Sequence, residues 1–357
     1  MAAERISAAR AVAFRVLERV HSGGFASDLL RQESRDLDPR DAALAETIVM
    51  GSLRYQSQLD FLIAHYSGRS QRLDPEVRIA LRMGIYQVRY LDRIPAHAAV
   101  AESVELVKRA RKRSAASLVN AVLRKVDREA VDWPDRATAL SIPPWMLERW
   151  GRRYGAEAAE KIAGAALQEP EAFVNPATGR MQDIGAQSIV PLLAIEPGMT
   201  VLDLCAAPGN KTAQAIAAGA RVIACDISLA RLASVPGDRL VLDAAEALPF
   251  GAKFDRILID APCSGTGTLA RNPEIKWRLK PEDLADFQSR QRKILGRALE
   301  FLSPSGLLVY ATCSLEPEEN EEVVAAYSPR KTHLRLPGRD PGDGFFAAVI
   351  RKGGRSA

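Results

Sequence analysis

The chain has 357 residues, 47% of them hydrophobic and 26% charged, which is long enough for two or three domains with separate cores and too apolar for a disordered chain. Its four cysteines, Cys205, Cys225, Cys263 and Cys313, show no CxxC spacing, which excludes a disulfide framework and a zinc site, so no metal is expected. No apolar run has the length of a signal-peptide core or a bilayer span, and the expectation is a cytoplasmic monomer with no membrane partner.

From Ile6 to about Asp127 the apolar residues recur at helical spacing, as in Val12, Val16 and Val20, or Val100, Val104 and Val107. Asp41 and Ser114 are expected helix starts, and Gly23-Gly24 and Ser67-Gly68 expected breaks. An all-helical domain is predicted over residues 1–130. It also holds the basic excess: 22 Lys and Arg face 16 Asp and Glu there, against 27 and 28 in the remainder. The densest run, Lys108, Arg109, Arg111, Lys112 and Arg113, would attract a polyanion, although a solvated helix end fits it equally well.

Residues 131–170, with Trp133-Pro134, Pro143-Pro144-Trp145 and Pro170, are predicted to form a partly helical connector in which Ser141 to Gly155 is an amphipathic helix. From Thr200 the pattern changes to apolar strands alternating with helices, within a domain assigned to residues 171–357. The expected strands are Thr200–Leu204, Arg221–Cys225, Arg239–Leu242, Phe254–Ile259, Leu307–Tyr310 and Phe345–Ile350. Such a series implies an α/β fold with a largely parallel, Rossmann-like sheet.

The carboxyl ends of parallel strands line the ligand crevice. After the first strand stands DLCAAPGNKT (Asp203 to Thr212), whose small residues Ala206, Ala207 and Gly209 let the backbone approach a ligand while the next helix offers unpaired N–H groups. Asp226 comes after the second strand, where a carboxylate accepts ribose hydroxyls, and Asp243 ends the third, within reach of an adenine edge. Cys263 in DAPCSGTG and Cys313 in YATCSLEPEEN follow two further strands, so both thiols are expected at one cleft. That placement suggests covalent chemistry, whereas burial as small hydrophobes is the commoner fate of a free cysteine.

Together with RNPEIKWR (Arg271 to Arg278) and PGDGFF (Pro341 to Phe346), these blocks make the chain resemble the Sun/RsmB family of RNA cytosine carbon-5 methyltransferases. The helical segment resembles a NusB-like RNA-binding domain through Ala9 to Val20 and Val119 to Val126. The resemblance implies an S-adenosylmethionine-dependent methyltransferase domain preceded by an all-α NusB-like domain, with ribosomal RNA of the small subunit as substrate. It implies cofactor contacts from Cys205, Ala206, Ala207, Pro208, Gly209, Asn210, Lys211, Asp226, Arg231, Asp243 and Asp260. It assigns attack on cytosine carbon 6 to Cys313 and proton removal and release to Cys263. Lys211 and the positive sulfonium are the candidates to stabilise the thiolate, and Asp260, which could otherwise cap a strand end, to hydrogen-bond the base. Arg271, Lys276, Trp277 and Arg278 are a basic and aromatic group suited to RNA contacts.

Two features depart from that family. The RNA-binding lobe that usually follows an Arg-Val-Asn-like strand is missing or cut to a turn, because Phe173-Val174-Asn175 leads almost at once to Gly179 through Asp183. Asn210 replaces the second glycine of the first loop, and asparagine tolerates positive φ. The competing readings are a transfer RNA 5-cytosine methyltransferase and a non-catalytic RNA-binding assembly factor.

Overall fold

The computed structural model describes residues 6–68 and 72–352. Its contacts divide the chain into two units, residues 1–167 with 272–278, and residues 168–271 with 279–357. Among the described residues no helix is long and apolar enough to cross a membrane.

The first unit is helical: α1 (Ala8–His21), α2 (Ala26–Glu33), α3 (Pro39–Arg54), α4 (Gln56–Ser67), α5 (Pro75–Tyr90), α6 (Ala96–Arg109) and α7 (Ala116–Leu123). Val12, Val16 and Val20 of α1 join Ile48 and Leu53 of α3 and Leu81 and Ile85 of α5 in one core, the outcome expected of an apolar stripe at helical spacing. The expected start of α3 at Asp41 lies three residues late: Asp38 caps it, accepting from the N–H groups of Arg40 and Asp41, with Pro39 at the first helical position. Ser114 likewise falls inside a 3-10 turn (Arg113–Ala115) that leads into α7. Gly68, at φ 67°, ends α4.

The stretch expected to be a connector is folded into this unit as far as Leu167. It forms α8 (Arg136–Ala139), α9 (Pro144–Tyr154) and α10 (Ala156–Ala165), with Trp150 of α9 fully buried.

The second unit carries a seven-stranded sheet in the order β3-β2-β1-β4-β5-β7-β6. A short helix α11 (Ile184–Gln187) leads to β1 (Thr200–Leu204), α12 (Asn210–Ala217), β2 (Arg221–Asp226), α13 (Leu229–Leu232), β3 (Asp238–Val241) and β4 (Phe254–Asp260). The chain then contributes residues 272–278, including α14 (Ile275–Arg278), to the helical unit before returning as α15 (Asp283–Glu300), β5 (Leu302–Thr312), α16 (Glu321–Val324), β6 (Lys331–Arg335) and β7 (Phe345–Arg351). Strands β1 to β5 pair in parallel, so Leu204, Asp226, Asp260 and Thr312 end at one edge. Strand β7 runs antiparallel to β5, pairing Thr312 with Phe346, and so brings its beginning to that same edge. Strand β6 has no counterpart in the sequence reading because Lys331-Thr332-His333-Leu334-Arg335 carries no apolar run; it is an edge strand held only by β7.

Residues 272–278 correct one expectation. Lys276 is 1% exposed, and its ammonium donates to the carbonyls of Arg54 at 2.7 Å and Ser141 at 2.9 Å. The Trp277 indole donates to the Leu53 carbonyl at 2.7 Å, and Glu274 accepts from the Ala26 N–H at 3.0 Å. These groups satisfy orphan carbonyls at the end of α3 and an orphan N–H at the start of α2. Lys276 and Trp277 are therefore packing residues of the helical unit and not an RNA-facing pair. Arg278 is exposed and sits 4.5 Å above the Phe25 ring.

Burial pushes the Lys276 ammonium down to about 7, with Arg54 a smaller cause. Between that value and the ordinary value of 10.5 the unfolded chain binds a proton that the folded chain does not, so stability rises with pH across this window. Denaturant unfolding of the full chain at pH 7 to 10 is expected to show this rise, and Lys276→Met to lose it. An identical pH profile in the variant would exclude a neutral buried lysine.

Candidate active site

The loop after β1 is shaped by its backbone. Cys205 has φ 64°, the Ala207-Pro208 bond is cis, and Gly209 has φ 95°. A Cβ on Gly209 would stand 2.9 Å from the Val235 Cα, so both conformation and space require glycine. The loop is pinned by the Ala206 N–H on the Cys225 carbonyl at 2.7 Å and by the Ala207 N–H on the Asp226 carboxylate at 3.3 Å. Asn210 begins α12 and donates through its side chain to the Met181 carbonyl at 3.0 Å. The Arg231 guanidinium donates to the Ala207 carbonyl at 3.3 Å, and Asp243 pairs with Arg290 at 2.8 Å. The Ala245 N–H and then Arg290 hold the Asp243 carboxyl below the usual carboxylate range.

Buried acidic groups give this edge its character. Asp203 is fully buried; Thr212 donates to its Oδ2 at 2.6 Å, while Oδ1 has no partner. Burial pushes its carboxyl up to about 7. Lys211, in the first turn of α12, donates to Asp260 Oδ2 at 2.6 Å and lies 5.3 Å from the centre of the Phe345 ring. Burial disfavours its charge, but the Asp260 carboxylate outweighs that and the ammonium is held above its ordinary value. Burial, followed by Asp260 and Asp226, pushes the Cys205 thiol up. A carboxylate at the end of β2 and an unpartnered oxygen on Asp203 suit hydroxyls and positive charge, while the uncapped start of α12 offers its N–H groups to a negatively charged group.

The two predicted thiols meet on the same edge. Cys263 Sγ and Cys313 Sγ are 3.3 Å apart, and both residues are half-buried. The hydrogen bond with Cys313, reinforced by burial, drives the Cys263 thiol well above its ordinary value, so Cys263 keeps its proton. The loops bearing them are sewn together by backbone bonds: the Gly267 N–H donates to the Cys313 carbonyl and the Gly344 N–H to the Gly267 carbonyl, each at 2.8 Å.

Behind the thiols lies Glu319, with no exposed surface. Its Oε1 accepts from the Ser264 N–H at 2.8 Å and the Gln291 amide at 3.0 Å. Its Oε2 accepts from the hydroxyls of Ser264 and Ser314, the latter at 2.5 Å. The sequence reading misses Glu319, Gln291 and Phe345 as site residues. Glu319 stands among similar acids, Glu318, Glu321 and Glu322, where nothing in the residue type marks the one that points inward.

Arg271, also expected to face RNA, instead pairs with Asp343 at 2.7 Å and Asp183 at 2.9 Å and donates to the Glu171 carbonyl at 2.8 Å. It ties the start of the second unit to the turn before β7. The shortened lobe is a tight turn in which the Asn175 N–H donates to the Arg180 carbonyl and Gly179 adopts φ 66°. In the basic run, Lys108 pairs with Glu105 at 2.5 Å and Lys112 with Asp74 at 2.9 Å. Among the described residues Arg109, Arg111 and Arg113 have no ion-pair partner.

Residues 190–339 match the family described as 16S rRNA methyltransferase RsmB/F, and residues 7–128 match the NusB family. The chain is 31% identical to Ribosomal RNA small subunit methyltransferase B of Erwinia tasmaniensis, over 96% of this chain and 98% of that one. The chain belongs to the RsmB/F methyltransferase family. The corresponding protein of Klebsiella pneumoniae strain 342 is 32% identical over the same shares of the two chains. Its alignment spans 427 positions against the 357 residues here, so that relative carries residues this family member lacks. The crystal structure of PH0851 shares the fold with a TM-score of 0.77, at 20% identity, over 97% of this chain and 98% of that one.

Gly267 offers a test of how closely the loops must approach. A Cβ there would fall 2.4 Å from the Gly344 carbonyl oxygen and 2.8 Å from that of Cys313, both backbone atoms. Gly267→Ala is expected to destabilise the second unit by about 1–3 kcal/mol, as overpacking does. Denaturant unfolding measures this, and an unchanged midpoint would mean that the contact between the loops is not required.

Proposed function

We propose that this RsmB/F family member methylates carbon 5 of a cytosine in small-subunit ribosomal RNA, with S-adenosylmethionine as donor and Cys313 as covalent nucleophile. The observation that carries this reading is the pair of thiols 3.3 Å apart at the edge that also bears the loop after β1. The printed names of the relatives, which specify small-subunit ribosomal RNA, favour this substrate over transfer RNA. Membership in a methyltransferase family, with both thiols in place, weighs against a non-catalytic assembly factor.

The residues that would hold the donor are the loop Cys205 to Lys211 with Asp226, Arg231, Asp243 and Asp260. When bound, S-adenosylmethionine supplies an electrophilic methyl group. The chain's own task is to make cytosine carbon 5 nucleophilic. Bond formation between Cys313 Sγ and carbon 6 breaks the ring's aromaticity and shifts the 5,6 electron pair toward carbon 5. Asp260, held by Lys211 at 2.6 Å, is placed to hydrogen-bond the base as charge develops on it. The bond to Cys313 and burial hold the Cys263 thiol well above its ordinary value, and the family resemblance assigns the attack to Cys313. A thiol that binds its proton tightly is a strong base once ionised. Cys263 must first lose its own proton to solvent; its thiolate then takes the carbon-5 proton, the electron pair of that C–H bond re-forms the 5,6 double bond, and Cys313 leaves as thiolate.

Opposite phenotypes are expected of the two thiols. Cys313→Ala should give neither covalent adduct nor product with labelled RNA, while Cys263→Ala should accumulate an adduct that survives a denaturing gel. An adduct present in Cys313→Ala and absent in Cys263→Ala would reverse the roles.

The basic run is the proposed RNA-docking surface. Its three arginines without ion-pair partners among the described residues are better placed to neutralise phosphates than Lys108 and Lys112, whose charges are already balanced. Replacing Arg109, Arg111 and Arg113 by Gln is expected to weaken RNA binding and flatten its log-affinity against log-salt slope by roughly 0.7–0.9 per lost contact. A slope equal to that of the unmodified chain would place the docking surface elsewhere. Substitution is the appropriate probe: truncating the helical unit would leave Lys276 and Trp277 without the carbonyls they bond.

A further inference from the structure

We infer that Glu319 is the positioning residue of the thiol pair: one buried carboxylate fixes the spacing of Cys263 and Cys313 by binding the residue that follows each of them. Ser264 follows Cys263 and Ser314 follows Cys313, and both hydroxyls converge on Glu319 Oε2. The two hydroxyl oxygens are 3.1 Å apart, nearly the separation of the sulfurs one residue earlier. Oε1 holds the first loop a second time, through the Ser264 N–H at 2.8 Å. Gln291 of α15 ties the carboxylate and the loop to the helix behind them, donating to Oε1 at 3.0 Å and to the Pro262 carbonyl at 3.0 Å. Glu319 is itself anchored by its main chain, because the Tyr310 hydroxyl donates to the Glu319 carbonyl at 2.7 Å.

Burial raises the Glu319 carboxyl above its ordinary value while the bonds from Ser264, Ser314 and Gln291 oppose that, and four donors on two oxygens suit the ionised form, which accepts without donating. Loss of this group would leave the Ser264 N–H unpaired in a buried site, reduce the two serine hydroxyls to each other and Thr266, and release both loops together. Glutamine keeps the volume but brings an N–H₂ group. Turned toward Oε1's place it would face a backbone N–H that cannot accept; turned toward Oε2's place it would face two hydroxyls that must reverse. Either orientation loosens one side of the clamp.

The inference rests on the covalent role of Cys313, and its test separates the two. Reaction of the full-length chain with dibromobimane, which fluoresces when it bridges two nearby thiols, reads the spacing without RNA or donor; peptide mapping identifies the Cys263–Cys313 product, and Cys263→Ser is the blank. The unmodified chain should bridge, and Glu319→Ala should bridge several-fold more slowly while each thiol still accepts a monofunctional reagent. In methylation assays kcat should fall about 10- to 100-fold in Glu319→Gln and Glu319→Ala, with the KM for RNA and donor unchanged, as expected when reacting groups are misplaced by about 1 Å.

If the carboxylate acts through the serines, Ser264→Ala with Ser314→Ala should reproduce the loss, and adding Glu319→Ala should deepen it little. Should Glu319→Ala fail to fold, Glu319→Gln and the serine pair carry the same comparison. Native-like bridging with native kcat, or full additivity with the serines, would overturn the assignment. A chain whose thiols bridge but whose Cys313 never attaches to RNA would instead overturn the covalent reading and leave the clamp standing.

Discussion

Charge balance at the carboxyl edge of the sheet governs the rest of the second unit. Parallel pairing of β1, β2, β4 and β5 delivers Asp203, Asp226, Asp260 and both thiol loops to one edge, where burial would cost several kcal/mol for each unpaired charge. The single ammonium, Lys211, is spent on Asp260, and Asp226 takes backbone N–H groups from Ala207 and Ser228. Glu319 is neutralised by no cation and instead gathers four hydrogen-bond donors. Among the described carboxylates of this edge Asp203 keeps an oxygen without a partner, and behind the thiols the Gln291 Oε1 is unpartnered too. The Asp203 oxygen is an acceptor on the edge proposed to take a positively charged nucleoside, where a binding group would be most useful.

The same requirement, that buried polar groups find partners, explains the fate of RNPEIKWR. By residue type it looks like a nucleic-acid contact, since arginine, lysine and tryptophan stand together. Helix ends, however, expose carbonyls and N–H groups that must be satisfied wherever they are buried. Arg54 and Leu53 at the end of α3 and Ala26 at the start of α2 are such groups, and Lys276, Trp277 and Glu274 supply the missing halves. Long polar side chains with few competing contacts are as useful for closing helix ends as for binding phosphates. Arg271 makes the same point in the second unit, where Asp183 and Asp343 enclose its guanidinium.

Much of the second unit is legible because its signals are local. Apolar runs mark β1, β2, β4 and β7 almost to the residue, and the placement of Cys263 and Cys313 on two strand ends follows from parallel topology alone. Strand β6 is hidden because an edge strand needs no apolar run, and β5 extends further than its apolar centre because Leu302 continues the pairing with β4. The helix expected from Ser141 to Gly155 is present as α9, opened by Pro144 as its prolines suggest, but residues 131–167 belong to the first unit rather than standing apart as a connector, with Trp150 fully buried. Side-chain partners that depend on long-range contact, Glu319 with Ser264 above all, have no signature in the sequence: the two are 55 positions apart, and Glu319 has other glutamates on both sides.

The clamp and the chemistry of the thiols are one arrangement. The bond to Cys313 is the main cause that keeps a proton on Cys263; burial and then the Cys313 and Glu319 charges add to it. Cys263 immediately precedes Ser264, which binds that carboxylate through both N–H and hydroxyl, while Ser314 reaches it through hydroxyl alone. The carboxylate is therefore bound more fully to the loop of the proton-holding sulfur than to that of the attacking one. A buried carboxyl group that binds one cysteine loop through two groups and the other through one breaks the symmetry of the pair. Two thiols within 3.3 Å can then divide attack and proton transfer between them.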